Sequence, residues 1–336
     1  MLASVLFAAP ATAAPRASQL GLGANGGLHN LSADELGREL DVARNAGGRW
    51  LRFDMNWAVV QAGGRTSWNW APFDRVVRAA RNRNLKVLGT IWYTPGWARP
   101  SGTPPHHPPT NPLNFRRFAG AVARRYKGLG VHHWEIWNEP NIPWAWHARP
   151  SARAYGRLLQ AAARGLRAND RNAVVITGGL SPASNAGASI APVSFLQGLY
   201  RNGYKRAFDA VGHHPHMFPY LPSTRAAWSP WRQMFATRPS LRSVMINHGN
   251  KAKKIWATEY GAPTGGDRAV SGARQARLLT EAYRLWGGYR WAGPLFWFSI
   301  RDRGAVTWHT TCGLVREDYS AKASYAAYRT IANAAR

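Results

Sequence analysis

The 336-residue sequence holds one cysteine, Cys312. No disulfide can close within the chain, and cysteine usage says nothing of the redox compartment. Acidic side chains are scarce as well, at 16 against 44 basic ones, and lysine supplies only 7 of those 44. An Arg-rich, Lys-poor chain with a formal charge of +28 reads first as the imprint of a GC-rich genome. The second reading is attraction to a polyanion, such as nucleic acid or an anionic wall or matrix polysaccharide. The basic residues sit at helical spacing, as Arg116, Arg117, Arg124 and Arg125 or Arg153, Arg157, Arg164 and Arg167, and form no run. Specific nucleic-acid binding is therefore not expected.

Long apolar runs are missing too. The longest, Leu2–Ala14, falls short of the roughly 20 residues a membrane-spanning helix needs, so no transmembrane anchor is expected. It ends in Ala11-Thr12-Ala13-Ala14-Pro15, as a signal peptide ends at its cleavage site, although no Lys or Arg precedes Arg16 to form the usual positive start. Residues 1–14 are read as a truncated or atypical export signal, and the protein as secreted or cell-wall associated. No Gly-rich phosphate loop follows the first strand, which argues against an open nucleotide-binding sheet. His213, His214 and His216, with His106 and His107, match no compact zinc spacing and have no cysteine to assist them, so neither metal nor cofactor is expected.

What the sequence does have is alternation. Short runs rich in Val, Ile, Trp and Phe, bounded by Gly, Pro or Asn, predict strands at Leu20–Ala24, Trp50–Asn56, Val87–Trp92, His132–Trp137, Val174–Thr177, Ala210–His214, Ile255–Glu259 and Leu295–Ser299. Between them, amphipathic spacing predicts helices over Ala33–Ala46, Pro72–Arg83, Asn114–Tyr126, Ala152–Ala168, Ser194–Asn202, a segment within Trp228–Asn247, Gly272–Trp286 and Ala321–Ala334. Ser32 ahead of Asp34-Glu35 resembles a capping box, and Pro72 suits a first helical turn. Eight such units predict a parallel sheet closed into a (β/α)8 barrel, one α/β domain over residues 19–336, here expected to be a monomer.

In such barrels chemistry gathers at the strand C-termini. Most of the acids fall on helices or in turns, leaving Asp54, Glu135, Glu139, Glu259 and Asp302 in or just after strands. Glu139 ends strand four in Trp134-Glu135-Ile136-Trp137-Asn138-Glu139-Pro140-Asn141, and Glu259 ends strand seven in Trp256-Ala257-Thr258-Glu259-Tyr260-Gly261. Both ends converge on one mouth, where two carboxyls can approach to about 5 Å, the spacing of a retaining glycosidase. Glu135, four residues earlier and about 13 Å deeper at strand rise, is expected to pair with an interior arginine. Of the 17 tryptophans, Trp57, Trp92, Trp97, Trp144, Trp146 and Trp297 fall at or just past strand ends. Indole faces suit the C–H faces of sugars, and half of these six are expected to line the cleft. Asp54, Tyr93, Asn141 and Tyr260, similarly placed, join Trp57 and Trp92 as candidate substrate contacts.

The motifs closing strands four and seven resemble those of the clan A glycoside hydrolases, and Trp-Glu-Ile-Trp-Asn-Glu-Pro-Asn resembles family 39 in particular. The resemblance spans nearly the whole chain after the leader and implies retaining hydrolysis of a poly- or oligosaccharide. Glu139 would be the acid/base and Glu259 the nucleophile, with Glu139 held protonated by its charged neighbour. It further implies that Asn138 binds the sugar 2-hydroxyl, Arg52 holds the nucleophile carboxylate and Trp297 floors the subsite. After strand six the relatives carry a tyrosine two residues beyond a histidine. Here His214 matches, but His216 replaces the tyrosine. An imidazole can donate the same hydrogen bond, yet its charge varies with pH near neutrality, which bears on the pH optimum. The alternative to an enzyme is a non-catalytic glycan- or polyanion-binding surface protein on the same scaffold.

Overall fold

The computed structural model describes residues 13–335. Eight parallel strands close into a barrel in chain order: β1 (Leu20–Gly23), β2 (Trp50–Asn56), β3 (Lys86–Trp92), β4 (His133–Ile136), β5 (Val174–Thr177), β6 (Ala210–His213), β7 (Lys254–Tyr260) and β8 (Ala292–Phe298). Ten helices accompany them among the described residues: α1 (Ala33–Asn45), α2 (Trp57–Val60), α3 (Ala71–Asn82), α4 (Pro112–Tyr126), α5 (Ala152–Asn169), α6 (Pro192–Arg201), α7 (Pro230–Phe235), α8 (Leu241–Asn247), α9 (Gly272–Gly288) and α10 (Ala323–Asn333). The (β/α)8 expectation holds, with element ends displaced by only a few residues. The presumed leader lies outside the described residues except for Ala13 and Ala14. Among the described residues no helix is long and apolar enough to cross a membrane.

Local chemistry explains the boundaries. Ser32 caps α1 in a reciprocal box: its hydroxyl accepts from the Glu35 amide at 3.2 Å, and Glu35 accepts from the Ser32 amide at 3.0 Å. The segment 228–247 splits into α7 and α8 because Pro239 cannot continue a helix. The turn α2 was not expected. Asn56 starts it by accepting from the Val59 amide at 3.2 Å.

Strand alternation builds the barrel interior in layers. At the bottom, Trp50, Leu88, Ile176, Trp256 and Phe296 pack as one apolar cluster. Two residues up β2, β3 and β4 stand Arg52, Thr90 and Glu135, all buried. Above them the mouth opens. The outward partners on the same strands, such as Leu51, Phe53, Trp134 and Ile136, join the larger core between sheet and helices.

Candidate active site

A cleft of about 970 Å3 lies over the C-terminal ends of the strands, with Glu139 and Glu259 both in its wall. Each is delivered by an irregular strand end. Beyond β4 the chain takes left-handed backbone at Trp137 (φ 70°) and again at Glu139 (φ 44°), conformations that cost energy in a residue with a β-carbon. The Glu139 amide donates to the Gly179 carbonyl at 3.1 Å, which fastens this turn to the end of β5. Glu259 arrives where the pairing of β7 with β8 shifts register, between Ala257 and Tyr260.

Arg52 ties the layers together. Its Nε donates to Glu135 at 2.6 Å, one terminal nitrogen to Glu259 at 2.6 Å, and the other to the Asn138 side-chain oxygen at 2.8 Å. Glu135 is thus the buried partner of an interior arginine, and it also accepts from Thr90 Oγ1 and the Gly179 amide, each at 2.9 Å. With its oxygen turned to Arg52, Asn138 is left with its NH2 group as the donor at the cleft wall, which it lines.

Both carboxylates meet a single imidazole nitrogen. Nδ1 of His214 lies 3.1 Å from a Glu139 oxygen and 3.7 Å from a Glu259 oxygen. These two oxygens are therefore at most about 7 Å apart, a bound that admits the separation of roughly 5 Å used in double displacement. Nε2 of His214 meets Thr258 Oγ1 at 3.1 Å. His214 is fully buried and fits only because residue 179 is glycine, where a β-carbon would stand 2.0 Å from Nε2. His216 reaches the same Glu259 oxygen, with Nε2 at 3.7 Å.

This setting sorts the charges. Burial disfavours the Glu259 anion, but the charges of His214 and Arg52, with a smaller contribution from His216 beside it, outweigh it and hold this carboxyl well below the usual carboxylate range. For His214 burial opposes protonation, and the Glu259 charge and the Glu139 hydrogen bond overcome it, so its pKa is raised. Burial pushes the Asp54 carboxyl up from 3.8 to about 6, against the pull of Arg52. One ligand atom each from His214, His216 and Glu259 gather within 4.8 Å, but Arg52 already occupies the same carboxylate and would repel a cation there.

Among the expected contacts, Arg52, Asp54, Trp92, Tyr93, Asn138 and His216 line the cleft with the two glutamates. His214 stands just behind. Four residues do not face it. Trp57 turns away with α2 and is buried against Phe115 and Phe118, its ring nitrogen donating to Gln61 at 2.7 Å. Asn141 is fully buried and spends its amide on Ser181 and Ile190, bracing the loop after β5. Tyr260 lies behind His216, with ring centroids 6.4 Å apart. Trp297 is wholly buried and donates to the Cys312 carbonyl at 3.0 Å. Phe296 points into the barrel, so the alternation turns Trp297 outward and gives the cleft floor to Phe298, which lines it. Of the six strand-end tryptophans only Trp92 and Trp144 line the cleft, joined by Trp228 and Trp308 from loops.

No protein-family model and no curated protein matches the sequence. Solved structures do match. A family 39 glycoside hydrolase from the gut symbiont Bacteroides cellulosilyticus WH2 superposes with a TM-score of 0.74 at 21% identity, over 94% of this chain and 64% of that one. The family 39 enzyme of Xanthomonas axonopodis pv. citri gives 0.71 at 18% identity, over 98% and 70%. A monomeric β-xylosidase from Caulobacter crescentus CB15 gives 0.69 at 16% identity, over 95% and 69%. The fold is that of the family 39 glycoside hydrolases. The chain spans only 64% of the length of the Bacteroides enzyme, and at these identities the likeness concerns the barrel rather than the chemistry carried on it.

Proposed function

We propose that this protein is a retaining glycosidase. The observation that carries the reading is the meeting of Glu139 and Glu259 on one imidazole, with Arg52 gripping Glu259 from the other side. A carboxylate kept ionised by Arg52 and its histidine neighbours is suited to attack the anomeric carbon as nucleophile. Glu139 donates its proton to the departing glycosidic oxygen as that bond breaks. It then takes a proton from water, which attacks the glycosyl ester and frees Glu259. Two carboxylates and water supply every proton and electron pair, so the reaction asks for no cofactor. The Asn138 NH2 group is placed to bind a sugar hydroxyl beside the reacting carbon.

A specific observation favours an anionic substituent on the glycan. Arg268 lines the cleft without an acidic partner among the described residues, its guanidinium stacked 4.6 Å over Phe218 and 5.8 Å from the Trp308 ring. The same reading has the enzyme work outside the cell as a monomer, with residues 1–14 as its export signal.

The test is a glycan panel, neutral and uronic-acid-containing, assayed with the wild type, Glu139→Gln and Glu259→Gln. Wild type releases sugar with retained anomeric configuration, and each substitution lowers kcat by at least about a thousandfold. Glu259→Ala with added azide yields a glycosyl azide of inverted configuration. Inverted products from the wild type would refute double displacement. Binding without any turnover would make the barrel a glycan-binding protein instead.

A further inference from the structure

We propose that the cleft holds an extended chain of equatorially substituted pyranoses and cuts it internally, with Trp144 on one sector of the rim and the Tyr220–Trp228 pair on another as stacking platforms. This rests on the glycosidase reading above and names its substrate class and mode of action. Large apolar side chains are buried almost everywhere in this protein. Among the described residues seven are exposed, and three of those seven, Trp144, Tyr220 and Trp228, each 51% exposed, line the same cleft as the two glutamates. A half-exposed indole is poorly solvated on its open face, and its gathering beside reactive carboxyls marks a surface awaiting an apolar partner. The flat C–H faces of pyranoses with equatorial hydroxyls are such partners, while their edges satisfy the polar groups between the rings.

The rings are held ready. Trp144 stands edge-on to His106, with centroids 5.6 Å apart, in the loop after β4. Tyr220 and Trp228 pack in a T at 5.0 Å in the loop after β6. That second loop is pinned to α9 by Arg274, which donates to the Pro219 carbonyl at 2.8 Å, and by Glu281, which accepts from the Ser223 amide at 2.8 Å. Gln233 donates to the Trp228 carbonyl at 3.3 Å. Fixed rings forfeit little freedom on binding.

Their placement bears on the mode of action. A pocket that trims chain ends encloses one terminal sugar near the carboxylates. Here the platforms rise from loops two strands apart, with the wall of Ser181–Asn185 between them, around a cleft of about 970 Å3, the upper end of the range for small-molecule sites. Such a surface grips sugars remote from the scissile bond.

Xylan, glucan and mannan are incubated with wild type, Trp144→Ala, Trp228→Ala and the double variant, and products are sized over time. Early products are expected to be oligosaccharides, with viscosity falling ahead of reducing-end release. Each substitution should lower the ratio of polymer to disaccharide kcat/KM by about two- to tenfold, the worth of one aromatic stack. In a turnover-independent arm, Glu259→Gln is run in native gels containing the same polysaccharides, where retardation weakens when Trp228→Ala is added. Monosaccharide as the sole early product, or an unchanged ratio in the double variant, overturns the inference and leaves the glycosidase reading intact. Retardation by the wild type with no sugar released overturns the glycosidase reading but keeps the platforms. Neither retardation nor hydrolysis on any polymer overturns the extended-chain site.

Discussion

Replacing Arg52 by methionine keeps most of the buried volume and removes the one cation that three acceptors share. Glu135 has no exposure and Glu259 little, so the substitution leaves two buried carboxylates short of their counter-charge. Breaking a buried pair from one side costs about 3–5 kcal/mol, which in a chain of 336 residues lowers Tm by roughly 4–7 °C. The loss should depend on pH. In the wild type the depressed Glu259 contributes stability that is present above its unfolded value near 4.5 and is lost as pH falls through its lower folded value. In Arg52→Met Glu259 is buried without that help, so its pKa rises and acidification relieves it. The difference in Tm between the two proteins is then widest near pH 7 and narrows toward pH 4. Thermal melts followed by circular dichroism between pH 4 and pH 8 measure it. A gap of constant size across that range would mean the loss is one of packing, and the electrostatic account of this site would be wrong. Arg52→Lys refines the result. It restores charge but not the fork that reaches three acceptors, and should recover part of the stability without recovering turnover.

Other substitutions probe the neighbours. Asp54→Asn removes a carboxyl whose folded pKa, about 6, lies above its ordinary 3.8. Wild-type stability is therefore forfeited as pH rises between those values, and the variant should gain on the order of 3 kcal/mol above pH 6 and nothing below pH 4 in urea titrations. His216→Phe withdraws the imidazole whose Nε2 stands 3.7 Å from the Glu259 carboxylate and helps depress it, so the acidic limb of kcat/KM should move to higher pH; an unmoved limb would show that His216 does not act on the nucleophile. Gly179→Ala sets a methyl 2.0 Å from His214 Nε2, which should displace the imidazole and cut kcat at least about tenfold. A fully active alanine variant would exclude His214 as the residue that positions Glu139.

The barrel was legible because each unit announces itself twice, by an apolar strand and by a capped or Pro-started helix. The two glutamates were legible because acids are so few that those at strand ends stand out. Aromatic side chains were harder. Strand β8, Ala-Gly-Pro-Leu-Phe-Trp-Phe, is buried along its whole length and shows no polar alternation, so its inward face is unreadable without the pairing. The error there was one residue, Trp297 for Phe298. At Trp57 a signal was present: Asn56 is a good first-turn cap, and the turn it starts rotates the indole into the core. Tyr220, Trp228 and Trp308 lie in long loops, whose course no periodicity reports.

Charge reads differently at different scales. The chain carries +28 overall, yet four of its 16 acids, Asp54, Glu135, Glu139 and Glu259, converge on the barrel mouth and the layer below it. Arg52 and His214, whose pKa is raised, are the cations beside them. At the reacting centre an anionic sugar would meet the Glu259 carboxylate, whose counter-charge Arg52 already shares with Glu135, across a few ångströms of weakly screened space, where like charges cost most. Many of the surplus arginines, such as Arg116, Arg117, Arg124 and Arg125, sit on helices, where salt screens exposed charges. An acidic substituent is therefore compatible with this cleft only at its rim, against Arg268, while the sugar that is cut must itself be neutral. Glycans bearing a uronic acid some units away from the cleaved linkage should be tolerated, with kcat/KM falling on Arg268→Ala. A substrate whose cleaved residue is itself the uronic acid would show that the nucleophile's charge does not exclude an anionic sugar from the reacting centre.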